Sequence, residues 1–249
     1  DRKICIVSIG AKATNNFSNT CSLYSDIERY SLSDGNADEV MNHIKTADHV
    51  IVGIFNTGLS TEMNLSRLIL EIGADKVIPV FFIKPYDMAN YSGSISLCNT
   101  TIVAYEDHPL AQEYAAQVVF GGSDATGRIP VAVDGVAKCG DGITLRASRL
   151  GYGMPEEVGI DLQFIAKADS LAELGIQKGA FPGCEVLVAR HGKVVLNKSY
   201  GHTDKSRFHK ITANTLYDLA SVTKATGTLS AVMKAMDSGK MRLDAPLAT

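Results

Sequence analysis

His49-Val50-Ile51-Val52-Gly53-Ile54-Phe55, then Ser60-Thr61-Glu62-Met63-Asn64-Leu65-Ser66-Arg67-Leu68-Ile69-Leu70-Glu71-Ile72-Gly73, then Lys76-Val77-Ile78-Pro79-Val80-Phe81-Phe82-Ile83: this run decides the fold class. Its two ends are short apolar runs rich in β-branched residues, the composition of strands buried on both faces. Between them Leu65, Leu68, Ile69 and Ile72 recur at helical spacing. Ser60 or Thr61 can cap that helix, and Gly73 can end it.

The same alternation extends to both sides. Lys3–Ile9 is a further apolar strand, and Thr100–Tyr105 another. Asn36–Ala47 predicts a helix with Val40, Ile44 and Ala47 on one face and Asn36 as its cap. His108–Phe120 predicts a further helix. Residues 10–36 are mixed and polar, and predict a short helix around Thr20–Arg29 with a weak strand at Arg29–Leu32. Strands alternating with helices indicate an α/β layer architecture with a mostly parallel sheet. Ligands of such sheets gather at the carboxyl ends of the strands. Here those ends hold Asn56-Thr57-Gly58, Lys84-Pro85-Tyr86-Asp87 and Glu106-Asp107. Neither G-x-G-x-x-G nor G-x-x-x-x-G-K-[ST] occurs, so nothing in the pattern supports nucleotide binding.

Composition narrows the function classes. With 45% hydrophobic and 20% charged residues, the 249-residue chain is an ordinary globular protein and not a disordered one. A net charge of −3, with no basic run interleaved with aromatics, argues against nucleic acid as a partner. No apolar run reaches the roughly 18 residues a membrane span needs. Cys5, Cys21, Cys98, Cys139 and Cys184 are scattered and form no C-x-x-C pair, which disfavours a zinc site or a disulfide framework. The six histidines form no ligand pattern, and no cofactor is expected. The chain begins Asp1-Arg2-Lys3-Ile4 and runs straight into a strand, which reads as a piece of a longer protein.

Beyond residue 120 the pattern changes. Gly121-Gly122-Ser123-Asp124-Ala125-Thr126-Gly127-Arg128-Ile129-Pro130 is rich in turn residues. Together with Tyr105-Glu106-Asp107-His108-Pro109-Leu110 and Lys84–Asp87, it resembles the second domain of glycoside hydrolase family 3. That domain is an α/β sandwich beside the family's catalytic barrel. The resemblance spans residues 1–135. It implies a parent acting on N-acetylhexosamines, with a preceding barrel domain as partner and carbohydrate or cell-wall material as substrate. The family's aspartate nucleophile would lie in the barrel, and its histidine proton donor on a barrel loop. Glycoside hydrolysis generally uses two carboxyl groups, or a carboxylate with a substitute acid. Glu62 and Glu106 are the acidic residues to watch, although loop and helix carboxylates are usually solvated surface.

Hydrophobic periodicity lapses from 134 onward, where Gly135, Gly140, Gly142, Gly151, Gly153 and Gly159 cluster, so residues 136–160 are expected to be a linker. Asp161 then caps a helix with Ile165, Ala168, Leu171 and Leu174 on its apolar face, ended by Gly175 or Gly179. Glu185–Arg190 and Lys193–Tyr200 flank His191-Gly192, a two-residue hairpin signal.

Asp218-Leu219-Ala220-Ser221-Val222-Thr223-Lys224 carries the chemistry. An extended segment should turn there into a helix lined by Ala225, Leu229, Val232, Met233 and Met236. Residues three apart share a helix edge. A partly buried lysine one turn from a serine can lose its proton and act as the base that activates the hydroxyl. Ser221 and Lys224 are therefore the candidate catalytic residues. The bland alternative is a helix-capping serine followed by an exposed lysine. Helix, Pro182-Gly183, hairpin, then Ser-x-x-Lys on a helix resembles the amino-terminal portion of a serine β-lactamase-like domain, a family that includes class C enzymes, esterases and penicillin-binding carboxypeptidases. Leu243-Asp244-Ala245-Pro246 fits the same pattern. The resemblance makes residues 161–249 a truncated α+β segment of that family, with Ser221 as nucleophile and Lys224 as base. Tyr-x-Asn and Lys/His-Thr-Gly elements would complete the family's site, and residues 225–249 contain no tyrosine, asparagine or histidine. The expectation is one corner of an acyl-transfer site, inactive in isolation or kept as an interaction module. Both resemblances imply a bacterial, periplasmic or cell-envelope setting.

Overall fold

A computed structural model describes residues 2–246. Strands β1 (Ile4–Ile9), β2 (Ile27–Leu32), β3 (His49–Ile54), β4 (Val77–Phe81) and β5 (Ile102–Val103) form one parallel sheet in the order β2-β1-β3-β4-β5. Helices α1 (Asn16–Cys21), α2 (Ala37–Ile44), α3 (Leu59–Ile72), α4 (Ser92–Leu97) and α5 (Pro109–Phe120) connect and cover it. The α/β class expected from the 49–83 run is the class observed.

Side chains along a strand alternate between faces, and the core divides accordingly. Cys5, Val7 and Ile9, with Val50, Val52 and Ile54, pack against Val40, Met41 and Ile44 of α2 and Leu65, Leu68 and Ile69 of α3. Ile6, Ile51, Val80 and Phe82 face the other way, onto Phe17 and Cys21 of α1 and Ala115 and Ala116 of α5. Gly53 lies on this second face. A Cβ there would fall 2.7 Å from the Phe55 ring, which stacks on Phe82 at 4.6 Å, so the glycine makes room for an aromatic pair.

Four local expectations need correction. The first helix is α1, at Asn16–Cys21 and not around Thr20–Arg29. Asn15 accepts the Ser18 N–H while Ser18 Oγ accepts the Asn15 N–H, a reciprocal cap that fixes the start. Residues 27–32 are then free to pair with β1. Asn36 does not cap α2 with its side chain; its amide bridges Ser33 and Ser31. Ser60 and Thr61 lie inside α3, behind Gly58, and bond to Asp34 and Asn56. β5 is also shorter than Thr100–Tyr105. It ends where Tyr105 adopts φ +69°, and the Glu106 N–H bonds back to the Ala104 carbonyl.

Residues 121–150 hold no helix, in keeping with the lapse in periodicity, but they are tied down. Asp124 accepts from Arg146 and from the Ala147 N–H, Ala125 bridges Leu145, and Val133 is buried in the α2/α3 side of the core.

The chain divides into two compact units. The first runs to Ile165 and includes Leu187–Leu196; the second is Ala166–Val186 with the residues from Asn197 onward. β6 (Gly151–Tyr152) pairs in parallel with β8 (Lys193–Gly201), which forms a hairpin with β7 (Gly183–Arg190). At the hairpin tip His191 and Gly192 have φ +50° and +79°, the paired positive values of a tight two-residue turn. Helix α6 (Leu162–Gln177) starts at Asp161, whose carboxylate accepts the Gln163 N–H. Its expected apolar face is not buried: Leu171 and Leu174 are exposed, and Ala172 is the buried residue of the helix. Helix α7 (Ser230–Asp237) follows a π-helical stretch, Lys224–Leu229.

Candidate functional site

The Ser-x-x-Lys segment sits where irregular chain becomes helix, as the sequence implied. Residues 215–219 have no regular structure. Asp218 Oδ1 accepts the Ala220 N–H at 2.9 Å, and Ala220 adopts φ +42°. The N–H groups of Val222, Thr223 and Lys224 then bond to the carbonyls of Leu219, Ala220 and Ser221, three successive tight turns. These turns place Ser221 and Lys224 on one edge, and Lys224 Nζ donates to Ser221 Oγ at 3.0 Å. That is within reach for proton transfer between a hydroxyl and a base. Lys224 is exposed, against the expectation of partial burial, and so is Ser221. From Lys224 to Leu229 the helix is π-helical, a form that recurs at functional sites.

The two carboxylates to watch are elsewhere. Glu62 accepts from Ser66 Oγ at 2.8 Å and from the buried Ser94 Oγ at 3.0 Å, which joins α3 to α4. That is a structural role. Glu106 is exposed on the loop after β5.

A second polar cluster escaped the sequence. In the second unit, Asp169 of α6 accepts from the Tyr200 hydroxyl and from Lys198 Nζ, and the Lys198 ammonium lies 5.1 Å from the centre of the Tyr200 ring. These donors, Tyr200 foremost, hold the Asp169 carboxyl below its usual range. Burial, and then the carboxylate, push the Tyr200 phenol up. Lys198 and Tyr200 are two apart on one strand face, but nothing in the sequence indicated that Asp169 would meet them. Among the described residues no group of three or more His, Cys, Asp or Glu could hold a metal ion, and no helix is long and apolar enough to cross a membrane.

Comparison with known proteins bears on this half of the chain. A family profile described as Beta-lactamase matches residues 168–249. Protein flp of Staphylococcus aureus (strain NCTC 8325 / PS 47) is 40% identical over 76 residues, which cover 30% of this chain and 15% of that protein. Esterase EstB of Burkholderia gladioli is 32% identical over 82 residues, 33% of this chain and 21% of the esterase. The chain thus spans under a quarter of the length of these curated relatives. A solved structure, described as a fungal multi-domain GH3 β-N-acetylglucosaminidase with a GCN5-related glucosamine N-acetyltransferase region, aligns with 55% of this chain and 16% of its own. Its identity is 22% and its TM-score 0.43, too low to carry an argument about fold or function. The carboxy-terminal third of the chain is similar to the β-lactamase family and to an esterase, and this likeness is hydrolase-like.

Proposed function

We propose that Ser221 is the nucleophile and Lys224 the base of a serine acyl-transfer site, in a β-lactamase-like esterase or carboxypeptidase. The single observation that carries this is the 3.0 Å contact between Lys224 Nζ and Ser221 Oγ, inside the segment similar to the β-lactamase family. In its amine form, Lys224 takes the hydroxyl proton as Ser221 Oγ attacks the carbonyl carbon of an ester, amide or lactam. The tetrahedral adduct collapses to an acyl-serine, the proton passes to the leaving group, and water then releases the acid. Donors for the developing oxyanion are also required. The Ser221 and Lys224 side chains are taken up by attack and proton transfer, so the pair is one corner of the site.

The test is mass spectrometry after exposure to benzylpenicillin, made on the longest natural chain that carries these residues. The expected result is a single covalent adduct that is absent in Ser221→Ala. Equal labelling of both proteins, or of neither, removes the proposal.

A second reading concerns residues 1–135: a domain of glycoside hydrolase family 3 type, beside a barrel that cleaves N-acetylhexosaminides, with a cell-wall substrate in the cell envelope. It is favoured by the way the segments carrying the resemblance meet. The Tyr105 hydroxyl donates to the Arg128 carbonyl at 3.3 Å, and the Arg128 guanidinium donates to the carbonyls of Gly127 and Ile143 and to Thr144 Oγ1. Arg128 is thereby joined to Tyr105, just after β5, and to residues 143–144. Turnover of a chromogenic N-acetylglucosaminide by the longest natural chain is expected. A folded protein without turnover counts against it.

A further inference from the structure

Asp218 has no place in the proton transfer just described, yet its carboxylate holds the one strained residue beside the nucleophile. Ala220 has φ +42°, in the left-handed region that costs any residue with a Cβ. Its N–H is bonded to Asp218 Oδ1 at 2.9 Å, two residues back, the geometry of an Asx turn. The turn lies immediately before Ser221. It also delivers the carbonyls of Leu219 and Ala220 to the N–H groups of Val222 and Thr223, and so starts the helix that brings Lys224 round to Ser221. Asp218 and Ala220 are exposed, and among the described residues none buries the turn. The strain is balanced locally, by one acceptor.

We infer that Asp218 is a positioning residue for the Ser221–Lys224 pair, acting by holding Ala220 in the left-handed conformation. This rests on the reading of Ser221 as nucleophile. Only the acceptor is needed, since asparagine makes the same turn. Glycine enters the left-handed region without cost, so a glycine at position 220 should remove the need for the acceptor. No ordinary structural contact of a surface carboxylate would give that pattern of rescue.

The experiment compares benzylpenicillin acylation rates of four proteins: wild type, Asp218→Ala, Asp218→Asn and Asp218→Ala/Ala220→Gly. Asp218→Ala is expected to slow acylation by about tenfold or more, the order expected when a hydrogen bond to a charged acceptor is lost. Asp218→Asn and the double variant should recover to within about threefold of wild type. An unchanged rate in Asp218→Ala, or a loss that neither change restores, overturns the inference. A second measurement separates it from the assignment of the nucleophile: the Ala220 φ angle, read by NMR in wild type and Asp218→Ala. If the wild type is not acylated at all, the nucleophile assignment fails, and the angle still decides the turn. A left-handed Ala220 that persists in Asp218→Ala overturns the inference regardless of labelling.

Discussion

Helices α3 and α6 carry the same kind of apolar stripe and meet different fates. On α3, Leu65, Leu68, Ile69 and Ile72 are buried against the sheet. On α6, Leu171 and Leu174 are exposed, and Ala172 is the residue that goes inside. The contrast extends to the whole of each unit. The first has two buried clusters, one on each face of a five-stranded sheet. In the second, Phe208, Leu216, Leu219, Val222, Leu229 and Met233 are all exposed, Leu216 to 97%. Periodicity names the face a helix would bury; it does not supply the partner. The candidate chemistry lies in the unit whose apolar residues are uncovered.

The largest expected effect comes from truncating one leucine in each unit. Leu68→Ala removes a fully buried side chain and should cost about 2–5 kcal/mol. Leu171→Ala, at a site 58% exposed, should stay within about 0.5 kcal/mol. Urea unfolding followed by circular dichroism measures both. A cost for Leu171→Ala close to that of Leu68→Ala would break the contrast.

Thiol labelling sharpens it next. Burial, with Glu28 nearby, pushes the Cys5 thiol up to about 11, so at pH 8 it should stay unmodified until the first unit opens. Burial raises Cys21 as well. Cys184, in the second unit, is only partly buried. In increasing urea Cys184 should react with a maleimide before Cys5 and Cys21, as peptide mass mapping would report; the reverse order contradicts the contrast.

A smaller effect belongs to the polar contact inside the second unit. Tyr200→Phe removes the hydroxyl that donates to Asp169 and should cost about 1–2 kcal/mol at neutral pH. Asp169 is held below its unfolded value, near 3.9. A depressed carboxylate contributes its stability in full above the unfolded pKa and loses it as pH falls through the folded one. The difference between wild type and Tyr200→Phe should therefore shrink below about pH 4. A difference constant down to pH 2 would mean that the hydroxyl acts through packing alone.

The smallest effect should be the same in both units. Arg67 bridges Asp38 and Glu71 in the first unit, and Arg242 pairs with Asp244 in the second, all at exposed or half-exposed positions. Replacing either arginine by alanine should leave thermal unfolding nearly unchanged, since solvent screens exposed ion pairs. A larger loss at Arg242 than at Arg67 would show the second unit depending on its surface charges.

The parallel sheet was legible because β1, β3 and β4 are buried on both faces, which forces uninterrupted apolar runs. The hairpin at His191-Gly192 was legible from its turn residues. β2 was legible only in part, since an edge strand needs apolar residues on one side only, and α1 was displaced because a cap between Asn15 and Ser18 outweighs weak periodicity. The Ser221–Lys224 pair could be read because a spacing of three is set by helix geometry alone. Asp169 meeting Tyr200 depends on how α6 packs on the hairpin base, which no local spacing encodes. The Asp218–Ala220 turn left a faint signal, an aspartate two residues before a position with no glycine.

The assignment of the nucleophile is tested most directly by a fluorophosphonate probe, followed by trypsin digestion and fragment sequencing by mass spectrometry. One label is expected, on Ser221 in the peptide Ile211–Lys224, and none there in Ser221→Ala. A label on any other serine or threonine, or an undiminished label in Ser221→Ala, would contradict it.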